Sequence, residues 1–277
     1  MRQFDTSMYS GLILYPSQML EQITPLLLTY NEEPNIGRTL DALTWAGRIV
    51  VVDSGSTDGT LAILRSHPAV EVFNRPFDSH ASQWNFALRS TGITTPWVLA
   101  LDADYVLSGE LVTELKGLCP NEGIAGYRAD FIYCIAGKAL RGSLYPPVVV
   151  LFRVDRGSYR QDGHTQRLEL AGDVESLRGR IRHDDRKSLE QWFAAQSRYA
   201  RLDADKLLSK SRTMLLWRDR ARRGYLGPPL VLFYCLIVKG LIFDGRSGLY
   251  YSLQRVLAET MLALCLVDSR LRRARLR

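Results

Sequence analysis

The chain has 277 residues, of which 46% are hydrophobic and 23% charged, and its formal net charge is +7. This composition predicts a globular protein with a sizeable core and argues against wholesale disorder. The positive charge by itself admits nucleic acid, phosphorylated substrates and anionic lipids as partners.

Four short apolar runs in the first part of the chain predict buried β-strands, and helical patterns separate them. The strands are expected at residues 24–29, 48–52, 70–73 and 97–101. The helices are expected around Ile36, Leu40 and Leu43, and at residues 61–66 and 80–90. Apolar strands that alternate with helices are typical of a mostly parallel sheet covered on both faces.

The rest of the chain changes character twice. Residues 123–170 are β-rich, with strands expected at 124–135, 148–154 and 167–170. An amphipathic helix is predicted at 188–211, followed by a basic stretch and by two apolar segments at 226–243 and 248–267. We therefore expect an α/β domain over residues 20–185 and a helical, basic and apolar C-terminal region over residues 186–277.

A pair of carboxylates follows the fourth predicted strand. Asp102 and Asp104 flank Ala103, and two carboxylates two residues apart at a strand end can reach one cation together. Mg²⁺ and Mn²⁺ favour oxygen ligands and leave positions for substrate phosphates. Such a cation would offset the charge of a diphosphate leaving group. The alternative is a solvated turn with a helix-capping aspartate.

Polar residues also follow the first two strands, where ligands bind in sheets of this kind. Thr29-Tyr30-Asn31-Glu32 ends the first strand, and Asp53 ends the second before a Ser/Gly/Thr loop. The Asp53 carboxylate can accept hydrogen bonds from a base or a ribose, whereas Thr57 and Asp58 favour the start of the next helix. No G-x-G-x-x-G follows the first strand and no P-loop motif occurs anywhere, which argues against a dinucleotide site and a P-loop NTPase.

These motifs, in this order and at this separation, resemble family 2 of the glycosyltransferases. The matching segments are residues 27–33 (LLTYNEE), 51–60 (VVDSGSTDGT) and 101–104 (LDAD). Further segments resemble the bacterial lipopolysaccharide-core glucosyltransferase branch, namely Arg75-Pro76-Phe77, Gln83-Trp84-Asn85 and the FDGRSG run at 243–248.

The resemblance implies a GT-A fold, an inverting transfer from a nucleotide-diphosphate sugar, and Mg²⁺ or Mn²⁺ as cofactor. It places Tyr30, Glu32 and Asp53 in the nucleoside pocket. The expected metal ligands are Asp102, which also lies near the ribose, and Asp104. The full set of expected nucleotide-sugar-binding residues is Thr29, Tyr30, Glu32, Asp53, Arg75 and Asp102.

The catalytic base departs from the family pattern. Many members carry Glu-Asp at the start of an acceptor-side helix, and the core-glucosyltransferase branch tends to show His-Glu, whereas this chain has DGHTQR at 162–167. Asp162 and His164 are the candidate bases, because either can deprotonate an acceptor hydroxyl. The later run His183-Asp184-Asp185-Arg186 is interpreted as a turn that leads into a helix.

The apolar C-terminal segments allow three interpretations: a membrane span, packing against the catalytic domain, or helices lying on a membrane surface. Segment 226–243 is near the lower limit for a span and contains Lys239, and segment 248–267 contains Arg255 and Glu259. Flanking arginines favour the membrane surface. Residues 1–17 hold no long apolar run, and the four cysteines are scattered. We expect a cytoplasmic protein, peripheral on the inner face of the cytoplasmic membrane.

The sequence thus predicts an inverting glycosyltransferase that moves a sugar from a nucleotide-diphosphate sugar to a lipid-linked, lipopolysaccharide or other cell-envelope glycan acceptor. A membrane surface is an expected partner and nucleic acid is not. Two alternatives stay open. A nucleotidyltransferase would favour a glycine-rich basic loop after the first strand, which Tyr30-Asn31-Glu32-Glu33 is not. A nucleotide-sugar- or lipid-binding protein without transferase activity is disfavoured by the intact Asp102 and Asp104 pair and favoured by the departure of the catalytic base from the family pattern.

Overall fold

The computed structural model describes residues 18–162, 165–211 and 215–275. Its first part alternates strands and helices as predicted, and the four predicted strands agree with the observed ones to within one residue at each end. The elements are α1 (Gln18–Glu21), β1 (Ile23–Thr29), α2 (Ile36–Asp41), β2 (Ile49–Asp53), α3 (Thr60–Ser66), β3 (Val70–Asn74), α4 (His80–Ser90) and β4 (Trp97–Asp102).

The middle of the chain is β-rich, and it contains elements beyond those predicted. It comprises β5 (Tyr105–Leu107), α5 (Gly109–Lys116), β6 (Ile124–Ile135), β7 (Lys138–Ala139), β8 (Val148–Arg153), β9 (Gly157–Asp162), β10 (Thr165–Leu170) and β11 (Asp173–His183). The strand β11 escaped prediction because its pairing shifts between Ser176 and Arg180. Such an irregularity breaks the two-residue alternation by which a strand is recognised, and only Leu177 and Ile181 of β11 are buried.

One mixed sheet orders these strands as β3-β2-β1-β4-β8-β6-β11-β5, with β7 paired to β6. The strands β3, β2, β1 and β4 run parallel to one another, as predicted, and β6 and β11 form a further parallel pair. The strands β8 and β5 pair antiparallel with their neighbours. β9 and β10 form a separate hairpin. The sheet is therefore parallel over its N-terminal half and mixed beyond β4.

Apolar side chains fill both faces of the sheet. Neighbouring residues of β1 point to opposite sides, so that Leu26 packs in one cluster with Trp84 of α4, while Leu27 packs in another with Leu40 of α2. All four of these side chains are buried. Burial on both faces explains why the parallel strands read as continuous apolar runs, and it leaves the strand ends as the place for polar residues.

The C-terminal region is helical, as predicted, but its first apolar segment is not one regular helix. The elements are α6 (Leu189–Ser209), α7 (Trp217–Arg223), α8 (Gly227–Phe233), a π-helical turn (Tyr234–Val238), a 3-10 turn (Leu241–Asp244) and α9 (Arg246–Arg275). Gly240 has a φ of 68°, a left-handed conformation that separates the two turns. Within the described residues, no helix combines the length and the apolarity needed to cross a bilayer.

Candidate active site

Three neighbouring strands end at the same edge of the sheet and bring the predicted polar residues together. Pairing of β1 with β2 sets Thr29 opposite Asp53, and pairing of β1 with β4 sets Leu28 opposite Asp102. The Thr29 hydroxyl donates a hydrogen bond of 2.9 Å to Asp53 Oδ1. The convergence expected from the sequence is therefore present at the carboxyl edge of the parallel strands.

Asp53 is fully buried, and its carboxylate organises the loop that follows β2. Besides the Thr29 hydroxyl, it accepts hydrogen bonds from Gly55 N at 2.9 Å, Ser56 N at 2.8 Å and Ser56 Oγ at 2.5 Å. Gly55 has a φ of 91°, which disfavours any residue with a Cβ. A carboxylate has about four acceptor positions. Thr29 and the loop after β2 therefore occupy all the acceptor positions of Asp53 in the structure.

The loops after β1 and β2 are joined side by side. Asn31, with a φ of 52°, donates its N–H to Ser56 Oγ at 2.9 Å and accepts the Thr57 N–H at 2.9 Å. Asp58 accepts the N–H of Thr60, the first residue of α3, at 3.1 Å, which supports the predicted role of Asp58 at the helix start. Tyr30 lies beside this junction and is half exposed.

The two predicted metal ligands lie where β4 turns into β5. Asp102 ends β4, and Asp104 lies one residue before β5. Asp104 Oδ2 is 3.0 Å from Nε2 of His183, and both side chains are largely buried. Antiparallel pairing of β11 with β5 sets His183 opposite Tyr105, so the last residue of a strand distant in sequence meets the aspartate pair.

Burial and mutual repulsion define the electrostatics of this pair. Burial, and then the charge of Asp104, raise the pKa of Asp102 to about 6. Burial by itself would raise the pKa of Asp104 too, but contact with His183 holds it below its usual value. Burial would lower the pKa of His183, but the Asp104 carboxylate raises it above its usual value. The group therefore holds negative charge that a cation would relieve.

The donor set suits a hard divalent cation, because Asp102 and Asp104 offer carboxylate oxygens at one place. Within the described part of the chain, no group of three or more His, Cys, Asp or Glu side chains is arranged to hold a metal ion. A cation at the aspartate pair would therefore need ligands from substrate and water, which is the usual arrangement for Mg²⁺ beside substrate phosphates.

Aromatic rings enclose His183. Their centroids lie 4.6 to 6.5 Å from that of the imidazole, and the rings belong to Tyr105, Phe131, Tyr133 and Tyr145. The buried Nδ1 atom of His183 has no hydrogen-bond partner among the described residues. This packing restricts rotation of the imidazole and keeps its Nε2 atom directed at Asp104.

A partly buried ion pair lies next to the aspartates. Glu32, at the end of the β1 loop, pairs with Lys187, and its other oxygen accepts the Asn35 side-chain amide at 2.9 Å. Burial raises the pKa of Glu32 to about 7, although Lys187 acts to lower it. Burial would lower the pKa of Lys187, but the Glu32 charge raises it above its usual value. Lys187 thus supplies a cationic group that pairs with Glu32 and is also attracted to Asp104.

Sequence reasoning missed His183 and Lys187 as site residues. The run from His183 to Arg186 does lead into a helix, as interpreted, because Ser188 caps α6 with a capping box. The same run also contacts the segment that follows β1. Arg38 pairs with Asp184 at 2.7 Å, and the Asn35 side-chain amide donates to Asp185 at 3.0 Å. A long polar run between a strand and a helix was the available signal.

The remaining predicted residues occupy different surroundings. Arg75 pairs with Asp78 at 2.8 Å and donates to the Gln83 side chain at 2.7 Å, within its own segment. Asp162 ends β9 and pairs with Lys206 of α6 at 2.6 Å. His164 lies outside the described residues. The roles of Arg75, Asp162 and His164 in binding or catalysis stay predictions.

A mixed sheet with a parallel half, polar loops at adjacent strand ends and an aspartate pair after the fourth strand define the GT-A class of α/β proteins. The chain belongs to the family described as glycosyl transferase family 2, whose family model matches residues 26–187. This confirms the predicted family and the predicted fold class.

The relatives agree with this assignment. The chain is similar to the lipopolysaccharide core biosynthesis glycosyltransferase LpsC of Rhizobium meliloti, with 28% identity over 244 residues, 82% of this chain and 84% of that protein. An uncharacterized glycosyltransferase of Rickettsia felis is 34% identical over 98 residues, 35% of this chain and 34% of that protein.

Two solved structures are similar at low identity. The glucosyl-3-phosphoglycerate synthase from Mycobacterium tuberculosis, in complex with Mn²⁺, uridine diphosphate and phosphoglyceric acid, is 16% identical with a TM-score of 0.45, covering 70% of this chain and 82% of that one. S. aureus TarS 1-349, in complex with UDP-GlcNAc, is 14% identical with a TM-score of 0.42, covering 90% of this chain and 91% of that one.

Proposed function

We propose that the protein is an inverting, metal-dependent glycosyltransferase that moves a sugar from a nucleotide-diphosphate sugar to a lipid-linked or lipopolysaccharide-type acceptor. The observation that carries the proposal is the Asp102 and Asp104 pair at the carboxyl edge of the parallel strands, beside the β1 and β2 loops. Membership of the glycosyltransferase family favours sugar transfer over nucleotidyl transfer. The similarity to LpsC supports a cell-envelope glycan as the acceptor.

The donor nucleotide is proposed to bind at the joined loops after β1 and β2. Tyr30 is half exposed there, so its ring is available to stack on a base. Thr29 and Glu32 belong to the same loop region. Because the Asp53 carboxylate accepts four hydrogen bonds from Thr29 and its own loop, we propose that Asp53 acts mainly by shaping the pocket.

The cofactor is proposed to be Mg²⁺ or Mn²⁺, held by Asp102 and Asp104. When bound, such a cation stabilises the negative charge of a diphosphate leaving group. His183 holds the Asp104 carboxylate in position through the 3.0 Å contact. Lys187 adds a positive charge close to Asp104, where the diphosphate is expected.

In an inverting transfer, an acceptor oxygen attacks the anomeric carbon from the side opposite the diphosphate. A new carbon–oxygen bond forms as the bond from the anomeric carbon to the phosphate oxygen breaks, and the acceptor proton passes to a base. Asp162 and His164 are the proposed bases. The hydrogen bond with Lys206 lowers the pKa of Asp162, which makes its carboxylate a weaker base than an unpaired aspartate, so release from Lys206 would strengthen it as a base.

We also propose that the protein is peripheral on the inner face of the cytoplasmic membrane. The chain is basic overall, with a formal net charge of +7, and its C-terminal helices expose large apolar side chains. Basic residues and apolar side chains together support attachment to an anionic leaflet. Nucleotide sugars and the growing glycan would both be accessible at that face.

The test is release of nucleoside diphosphate from a panel of nucleotide sugars, with and without Mn²⁺. We expect metal-dependent release by the unmodified protein and a loss of about 100-fold or more in Asp104→Asn. Asp155→Asn is the matched control, because Asp155 is exposed between β8 and β9 and should keep full activity. Tight donor binding by calorimetry without any release across the panel would instead support a non-catalytic nucleotide-sugar-binding protein.

A further inference from the structure

The segment from α8 through the π-helical turn presents an apolar side to solvent. Five large apolar side chains along it are between 42% and 61% exposed, namely Leu230, Phe233, Tyr234, Ile237 and Val238. Their spacing of three and four residues places them on one side of a helix. The opposite side of the segment packs into the protein, where Cys235 and the following Leu241 are fully buried. The segment is therefore apolar on both its inward and its outward side.

This exposed side continues onto the neighbouring elements. The 3-10 turn adds Ile242 and Phe243, of which Phe243 is 74% exposed, and the start of α9 adds Leu249, Tyr250 and Leu253. The elements that carry these residues pack against one another. We call the ten residues together the apolar face. Scattered exposed hydrophobic residues are ordinary, but a group of this kind marks a contact surface.

Basic groups adjoin the apolar face, and residues 215–258, the part of the chain that carries the face, hold no exposed carboxylate. The Arg141 guanidinium lies 5.7 Å from the Phe243 ring, and the Lys239 amine lies 5.7 Å from the Tyr234 ring. The only carboxylates among residues 215–258 are those of Asp219 and Asp244. Both are buried, Asp219 beside Lys210 at 3.0 Å and Asp244 beside Arg141 at 3.4 Å.

We propose that the apolar face inserts into the headgroup region of an anionic bilayer. This proposal rests on the proposed function and deepens it by assigning the surface that docks. Anionic headgroups supply the negative charge that the rim of the face lacks. A second copy of the chain fits less well, because a two-fold contact sets the same surface against itself and would bring the basic rims together.

The apolar face is linked to the active site by direct packing. Tyr251 of α9 accepts the Leu144 N–H at 2.8 Å, and its ring lies 4.8 Å from that of Tyr133. The Tyr133 ring in turn lies 4.7 Å from the imidazole of His183. Docking through the apolar face would therefore hold the site beside the bilayer, where a lipid-linked acceptor is presented.

The test is flotation of the full chain with vesicles of phosphatidylglycerol and phosphatidylcholine, compared with vesicles of phosphatidylcholine alone, without nucleotide sugar. We expect binding to the anionic vesicles that high salt weakens. The double variant Phe233→Ser with Ile237→Ser should lose at least about tenfold in partitioning. Leu202→Ser is the matched control, since Leu202 is a 46% exposed leucine on α6 and lies outside the apolar face.

A second variant tests the charge component. Arg218→Gln with Arg246→Gln removes two exposed cations of the C-terminal helices, on α7 and at the start of α9, and should reduce binding at low salt, with little effect at high salt. Thermal melting verifies that each variant is folded. Equal partitioning of the Phe233 and Ile237 double variant and the Leu202 control would overturn the proposal, as would full-length protein that ignores anionic vesicles.

Other occupants give distinct results. If sedimentation shows a dimer that the Phe233 and Ile237 double variant dissociates, the face is a contact between copies of the chain and the proposal is wrong. Because no nucleotide sugar is present, failure of the proposed transferase activity would leave vesicle binding unchanged. Loss of vesicle binding alone would leave metal-dependent release of nucleoside diphosphate intact, so the two proposals fail separately.

Discussion

Replacing Asp102 with asparagine should stabilise the metal-free protein while abolishing sugar transfer. The carboxylate of Asp102 is desolvated and lies beside the charge of Asp104, and together these raise its pKa from 3.8 to about 6. Asparagine keeps the shape of the side chain and removes the charge. A site that is strained for the sake of function commonly shows this opposition between activity and stability.

The magnitude follows from the pKa. A rise from 3.8 to about 6 corresponds to about 3 kcal/mol, since one pH unit is worth about 1.36 kcal/mol. The Asp102 side chain remains partly exposed to solvent, which reduces the effect, so we expect about 1–2 kcal/mol. A carboxyl whose pKa rises on folding favours the folded state most below about pH 4, where it is protonated in both states. This contribution to the free energy of unfolding is lost as the pH rises through about 6, because the buried group must then ionise. The advantage of the variant should therefore be present at pH 8 and small at pH 4.

The assay is thermal unfolding in EDTA at several pH values from 4 to 8. At pH 8, Asp102→Asn should raise Tm by roughly 2–6 °C, whereas the control Asp155→Asn should leave Tm nearly unchanged. Added Mn²⁺ should stabilise the unmodified protein more than the variant, because only the unmodified protein keeps both ligands. A variant that is no more stable than the unmodified protein at pH 8, or whose advantage does not depend on pH, would refute this account of the site.

Three further substitutions test other parts of the molecule. Asp53→Ala should cost about 2–4 kcal/mol in urea unfolding, because it leaves buried donors of the loop unpaired, and an unchanged midpoint would contradict this role. His183→Phe keeps the aromatic packing and removes the contact with Asp104, so turnover should fall about 10- to 100-fold at similar Tm; near-native turnover would exclude His183 as a positioning residue. In Gly248→Ala the new Cβ would overlap the Leu241 carbonyl oxygen, so urea unfolding should show a loss of about 1–3 kcal/mol, and an unaltered midpoint would mean that α9 shifts freely.

The parallel half of the fold was predictable because its strands are buried on both faces. Leu26 and Leu27 are adjacent in sequence and both fully buried on opposite sides of the sheet, which gives a continuous apolar run. The polar residues at the ends of these strands then converge by geometry alone. Local pattern was therefore enough to place Asp53, Asp102 and Asp104 at one edge.

The second half of the site was less accessible to sequence reasoning. His183 meets Asp104 across 79 residues of chain, through a strand whose pairing is irregular. Periodicity reports which face of an element is buried, and it carries no information on which distant strand becomes a neighbour. The same holds for Lys187. Its pairing with Glu32 depends on the contacts of Arg38 with Asp184 and of Asn35 with Asp185, which hold the preceding residues in place.

The charges at the site bear on the proposed metal dependence. Glu32, Asp102 and Asp104 bring three carboxylates to one edge of the sheet, and Lys187 and His183 face them. Although Lys187 and His183 act to lower the pKa values of these carboxyls, burial raises that of Glu32 to about 7, and burial together with the charge of Asp104 raises that of Asp102 to about 6. A diphosphate entering this edge would add further negative charge to a place where burial, and then repulsion from Asp104, have already raised the pKa of Asp102. A divalent cation near Asp102 and the diphosphate would replace this repulsion with attraction, because the cation attracts both groups. The charge arrangement therefore favours a donor that binds together with its metal.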